Sequence, residues 1–123
     1  MKRLLLVDDD ADLLAVLFDH FNGRYELVTA LDGASALEHF DRRRPDAVFL
    51  DIGMPGLSGV EVMKRMVEAA PDVPIIMLTG NAETRVAEDC LRHGAFAWIP
   101  KPVDLVYLDH IAASATEQKP TTP

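Results

Sequence analysis

Residues 4–10 read Leu4-Leu5-Leu6-Val7-Asp8-Asp9-Asp10, four apolar residues followed by three carboxylates. A run so short and so uniformly apolar forms a strand buried on both faces, as in parallel sheets covered by helices. Three later runs end in the same abrupt way. Ala47-Val48-Phe49-Leu50 stops at Asp51, Ile75-Ile76-Met77-Leu78 at Thr79, and Ala97-Trp98-Ile99-Pro100 at Lys101. In an open parallel sheet the carboxyl ends of the strands lie side by side, and ligands bind there.

Between these runs the period changes from strand to helix. Lys2 to Val7 is the first strand. Ala11 to Phe21 carries Leu13, Leu14, Leu17, Phe18 and Phe21 at helical spacing, with Asp10 as cap and Asn22-Gly23 as stop. Tyr25 to Ala30 alternates and is β-rich. Gly33 to Phe40 is a short helix ended before Pro45, and Ala47 to Leu50 the third strand. Gly53-Met54-Pro55-Gly56 is a turn-rich loop. Val60 to Ala70 is helical, with Val60, Met63, Met66 and Val67 on one face. Ile75 to Leu78 is the fourth strand. Glu83 to His93 is a helix closed by Gly94, and Ala97 to Ile99 a short fifth strand. Val103 to Ala115 is the last helix, with Leu105, Leu108, Ile111 and Ala112 inward. Strand followed by helix, five times over, implies a doubly wound α/β fold of the flavodoxin-like (βα)5 kind. Its parallel sheet has right-handed crossovers and helices on both faces. One site at the ends of the first and third strands fits the order 2-1-3-4-5.

The 123 residues suffice for one domain, expected over 1–115, with 116–123 a polar, proline-rich tail or linker start. Hydrophobic content of 49% and charged content of 26% are those of a water-soluble globular chain. The net charge of −8 and the lack of a basic stripe argue against direct nucleic-acid binding. Arg42-Arg43-Arg44, the one basic run, reads as a solvated helix end. No apolar run is long enough to span a bilayer. The aspartates directly after the first strand exclude a signal peptide there. The single cysteine, Cys90, cannot pair internally, which fits a cytoplasmic location. With Val86, Ala87 and Leu91 it reads as part of an apolar helical stripe. Met54, Met63, Met66 and Met77 read as core filler. His20, His39, His93 and His110 show no ligand spacing.

Strands one and three are neighbours in the expected order, about 4.8 Å apart. Asp8, Asp9 and Asp51 therefore converge and repel one another. A hard cation relieves that repulsion, and Mg²⁺ suits carboxylate oxygens and a phosphoryl oxygen best. Lys101 adds a compact positive charge able to pair with Asp51 or with a phosphoryl oxygen. Thr79 offers a hydroxyl donor to the same oxygens.

From Lys2 to about Ala113 the chain resembles the receiver domain of two-component response regulators. The resemblance rests on Asp8-Asp9, on Asp51 followed by Met54-Pro55 and Gly59, on Thr79-Gly80 and on Lys101-Pro102. It implies that Asp51 is the phosphoacceptor. It implies that Asp8, Asp9, Asp51 and the backbone carbonyl of Gly53 hold Mg²⁺, and that Thr79 and Lys101 grip the phosphoryl group. It further implies a cis bond between Lys101 and Pro102. The partners it implies are a sensor histidine kinase or phosphotransfer protein, and a downstream partner or fused output domain. Homodimerisation through the fourth helix, fifth strand and fifth helix belongs to the same set. The chain would be a phosphoacceptor that assists its own phosphorylation and dephosphorylation, not a turnover enzyme.

Three positions stand apart within that resemblance. Trp98 falls where the family has a tyrosine or phenylalanine that swaps between inward and outward rotamers; it reads equally as a partly buried core tryptophan with no switching role. Gly53 and Asn81 fall at positions that tune dephosphorylation in the family, and Gly53 reads also as a plain turn residue. Other classes fit less well. A phosphatase of the haloacid-dehalogenase type would use Asp8 and Asp10 but would leave Asp51 idle. A flavin carrier needs a hydroxyl- and glycine-rich loop where this chain is acidic. A degenerate receiver would not need all of Asp8, Asp9, Asp51, Thr79 and Lys101.

Overall fold

The computed structural model describes residues 1–117. β1 (Arg3–Val7), β2 (Glu26–Ala30), β3 (Ala47–Asp51), β4 (Ile75–Thr79) and β5 (Ala97–Pro100) form one parallel sheet in the order β2-β1-β3-β4-β5. Between and after them run α1 (Ala11–Phe21), α2 (Gly33–Arg42), α3 (Gly59–Ala69), α4 (Thr84–Arg92) and α5 (Leu105–Glu117). A single 3₁₀ turn, Asn81–Glu83, leads into α4. The flavodoxin-like architecture and the strand order agree with the sequence reading.

Strand alternation divides the core into two layers. Leu5, Val7, Val48, Leu50, Ile75 and Met77 face α2, α3 and α4. Leu4, Leu6, Ala47, Phe49, Ile76, Leu78 and Ile99 face α1 and α5. Both faces of the three central strands are thus covered, which is why their sequences lack polar alternation. Side-chain caps fix where helices begin. Asp10 accepts from the N–H groups of Asp12 and Leu13, Asp32 from Ser35 and Ser58 from Glu61. The four core methionines named above are all buried, as is Cys90. Arg44 follows the end of α2, stacks 4.6 Å above the Phe40 ring and donates to the Phe40 carbonyl.

Helix faces depart from expectation at four residues, the first being Phe18 on α1, which is exposed. On α4 only Ala87 and Cys90 turn inward, whereas Val86 and Leu91 are exposed. The nine-residue helix covers only β4 and β5, so its inward stripe is narrow. Leu105, expected inward, is exposed in the first turn of α5. The end of α5 also lies beyond the expected boundary at 115. Thr116 is buried and donates its hydroxyl to the Ala112 carbonyl at 2.9 Å, which satisfies the one polar group the last turn buries. Of the expected tail, 116 and 117 are therefore helical, and 118–123 lie outside the described residues. Among the described residues no helix is long and apolar enough to cross a membrane.

Candidate phosphoacceptor and metal site

The parallel register brings the strand ends together. Val7 pairs with Leu50 and Asp51 with Leu78, so Asp8 and Asp51 follow one another across adjacent strands. Both are buried, whereas Asp9 is exposed at the rim. Carboxylate oxygens of Asp8, Asp9 and Asp51 lie within 4.8 Å of one another. Asp8 Oδ1 accepts from the Asp10 N–H at 2.9 Å. Asp8 Oδ2 is buried with no directed hydrogen bond, and its charged neighbour is Lys101 Nζ at 2.9 Å. Asp51 Oδ1 accepts from the Gly53 N–H and from Lys101 Nζ, each at 3.2 Å. Lys101 therefore spans the two buried acids.

The electrostatics follow from that crowding. Burial, and then the nearby Asp8 charge, push the Asp51 carboxyl up to about 6, although Gly53 and Lys101 pull the other way. Burial lowers the Lys101 ammonium, but hydrogen bonding and charge attraction from Asp8 and Asp51 outweigh it and the net shift is upward. Three hard oxygens, one of them buried and short of a donor, fit a divalent cation of the Mg²⁺ kind.

The loops around the site are held by close backbone contacts. At Gly59 an added Cβ would run into the Asp51 carbonyl oxygen and lie 2.8 Å from Ile52 Cα, so only glycine fits. The Gly59 N–H donates to the Ile52 carbonyl at 3.2 Å, which turns the chain after Asp51 back into α3. The Lys101 N–H donates to the Thr79 carbonyl at 2.8 Å, and the Lys101–Pro102 bond is cis.

The expected switch residues are Thr79 and Trp98. The Thr79 hydroxyl donates to the Gly80 carbonyl at 2.9 Å instead of facing Asp51. Trp98 lies away from the acids, half-buried, in a groove with Leu91, Phe96, Pro100 and Tyr107. Strand alternation nonetheless puts Thr79 and Trp98 on the same face of the sheet, the one covered by α4. Cys90 lies on the buried face of that helix, its thiol pushed up by burial and by Asp89, which disfavours the reactive thiolate.

One residue at the site was not foreseen. Glu83, read from the sequence only as a helix start, accepts from the Gly80 N–H through Oε1 at 2.9 Å. Its Oε2 lies 2.6 Å from where a Cβ on Gly53 would stand. The three-residue spacing from Gly80 to Glu83 is that of half a capping box. Glycine at the cap in place of serine or threonine hid it.

Buried acids, a lysine and a threonine meet at the carboxyl ends of the strands, the arrangement of a phosphoacceptor signalling module. The chain belongs to the response regulator receiver domain family, whose sequence pattern matches residues 4–113. It is 35% identical over 118 residues to the regulatory protein AtoC of Escherichia coli, covering 95% of this chain and 26% of that protein. It is 31% identical to the sporulation initiation phosphotransferase F of Bacillus subtilis, covering 85% of each. The crystal structure of the receiver domain of NtrX from Brucella abortus superposes with a TM-score of 0.89 at 31% identity, covering 94% of this chain and 99% of that one. The chain thus spans a quarter to a half of the length of several curated relatives and most of one.

Proposed function

We propose that the chain is a switch in which a phosphoryl group moves from a histidine kinase or phosphotransfer protein to Asp51. The observation that carries this reading is the Lys101 ammonium set between the buried carboxylates of Asp8 and Asp51 at the strand ends. An Asp51 carboxylate oxygen attacks phosphorus, the bond from phosphorus to the donor nitrogen or oxygen breaks, and the donor leaves with the electron pair. The product is an acyl phosphate, later removed by water. Lys101 stays beside the transferring oxygens and balances their charge. Asp8, Asp9, Asp51 and the backbone carbonyl of Gly53 would hold Mg²⁺; the chemistry it supplies when bound is compensation of negative charge on the phosphoryl oxygens.

Thr79 is the second half of the switch. Its hydroxyl is engaged locally with Gly80 and would rotate toward the new oxygens, shifting the β4–α4 loop. The surface that reads this change is α4, β5 and α5. There Val86, Leu91, Val106 and Tyr107 are exposed, and this face would receive a downstream partner, a fused output domain or a second copy. The relative from Bacillus subtilis is named a phosphotransferase, which favours a phosphorelay donor. The setting would be cytoplasmic.

Acetyl phosphate with Mg²⁺ tests the assignment by intact mass. The expected result is one added phosphoryl group on the wild type and none on Asp51→Asn. Equal labelling of both proteins would overturn it.

A further inference from the structure

Gly53 leaves a gap beside Asp51, and that gap is filled from the opposite loop. The Glu83 carboxylate lies between the Gly80 N–H, from which Oε1 accepts at 2.9 Å, and Gly53, whose Cβ position is 2.6 Å from Oε2. Gly53 in turn donates its N–H to Asp51 Oδ1. A fourth carboxylate therefore lies against Gly53, two residues after Asp51. It also occupies a backbone donor, Gly80 N–H, at the end of the strand beside Asp51.

This position has two consequences for an incoming phosphoryl group. Glu83 and the donor phosphate are both anions, so they repel. The Gly80 N–H is closed to the phosphoryl oxygens for as long as Glu83 holds it. The 3₁₀ turn places Glu83 there, and no other acidic side chain hydrogen-bonds the Gly80 N–H among the described residues.

We propose that Glu83 is a positioning residue that gates phosphorylation: its carboxylate guards the Asp51 pocket from the β4–α4 loop and slows entry of the phosphoryl group. This inference rests on Asp51 being the phosphoacceptor. Removing the charge while keeping the shape lifts the repulsion, and expelling the side chain lifts it and frees the Gly80 N–H as well. Glu83→Gln does the first, because its amide oxygen can still accept from Gly80. Gly53→Ala does the second, because its Cβ takes the place of Oε2 and leaves the peptide backbone chemically unchanged.

The test is the initial rate of labelling by acetyl phosphate with Mg²⁺, followed by intact mass at low and high ionic strength. Loss of one repelling charge is expected to raise the Glu83→Gln rate over wild type by roughly threefold to tenfold at low salt. Added salt screens the repulsion, so it should narrow that gap. Gly53→Ala should also label faster than wild type, and the double variant should be no faster than Gly53→Ala alone, since that substitution already expels the side chain at position 83. A merely structural role for Glu83 would not produce the salt dependence. Wild-type labelling with equal or slower rates in both variants would overturn the gate and leave Asp51 intact as phosphoacceptor. No labelling of the wild type would instead overturn the phosphoacceptor reading and the gate with it.

Discussion

Lys101 Nζ lies 2.9 Å from Asp8 Oδ2, and Asp8 is fully buried. A buried carboxylate so placed depends on its cation, and among the described residues Lys101 is the cation that pairs with it. Lys101→Met should therefore destabilise the metal-free protein by about 2 kcal/mol near neutral pH, with two buried acids left uncompensated. Urea unfolding measures this. A variant as stable as wild type would mean that the pair contributes nothing.

The opposite substitution has the opposite sign. Asp51 titrates near 6 in the folded chain, against 3.8 ordinarily. Between about pH 4 and 6 the folded chain keeps a proton that the unfolded chain has lost, so stability falls as pH rises through that window. The full penalty is present above it, at most about 3 kcal/mol. Asp51→Asn should accordingly be more stable than wild type at pH 7.5 without metal. The advantage should fade as pH falls toward 4. A pH-independent difference between the two proteins would contradict this.

Asp9 differs from its neighbours because it is exposed at the rim. Its removal costs the apoprotein little and slightly relieves repulsion. Its oxygen nonetheless falls within the carboxylate cluster. Thermal melts of Asp9→Ala should show an unchanged or slightly higher midpoint without metal, and most of the Mg²⁺-induced rise should be lost. Retention of the whole rise would remove Asp9 from the ligand set.

Gly59 is a steric requirement, since an added methyl meets the backbone of Asp51 and Ile52, which cannot move without moving the site. Gly59→Ala should cost more than about 2 kcal/mol, and the damage should extend to phosphorylation because the Asp51 backbone shifts. Denaturant unfolding together with acetyl phosphate labelling checks both effects. The same reasoning spares Gly56, where an added methyl meets no atom and only the positive φ of +73° opposes the change.

Much of this architecture was legible because it is written in short, local signals. Runs such as Leu4–Val7 and Ile75–Leu78 are covered on both faces, so each announces itself by the absence of polar alternation. Asp8, Asp51, Thr79 and Lys101 were found because each ends such a run, and strand ends meet in a parallel sheet. What stayed hidden depends on neighbours distant in sequence. The exposure of Val86, Leu91 and Leu105 follows from where α4 and α5 overhang the sheet, which periodicity does not encode. The Thr79 hydroxyl could turn toward either side of its strand end. Glu83 reaches Gly53 across two loops, and its one local trace was a half capping box built on glycine.

The link from Asp51 to the exposed face of α4, β5 and α5 is the remaining step, and Trp98 reports on it. It is the chain's one tryptophan, half-buried on β5 and paired in register with Met77. Thr79, two residues after Met77, lies on the same face of the sheet as Trp98. Beryllofluoride with Mg²⁺, which mimics an aspartyl phosphate, should draw the Thr79 hydroxyl off the Gly80 carbonyl and shift the β4–α4 loop. Space beside the indole would then change, and emission with it. The indole is bulky and already packed against the core, so a modest shift is expected instead of full burial. The change should vanish in Asp51→Asn. Unchanged emission in a protein shown separately to bind beryllofluoride would make Trp98 a static packing residue, with the coupling carried by the loop around Asn81 alone.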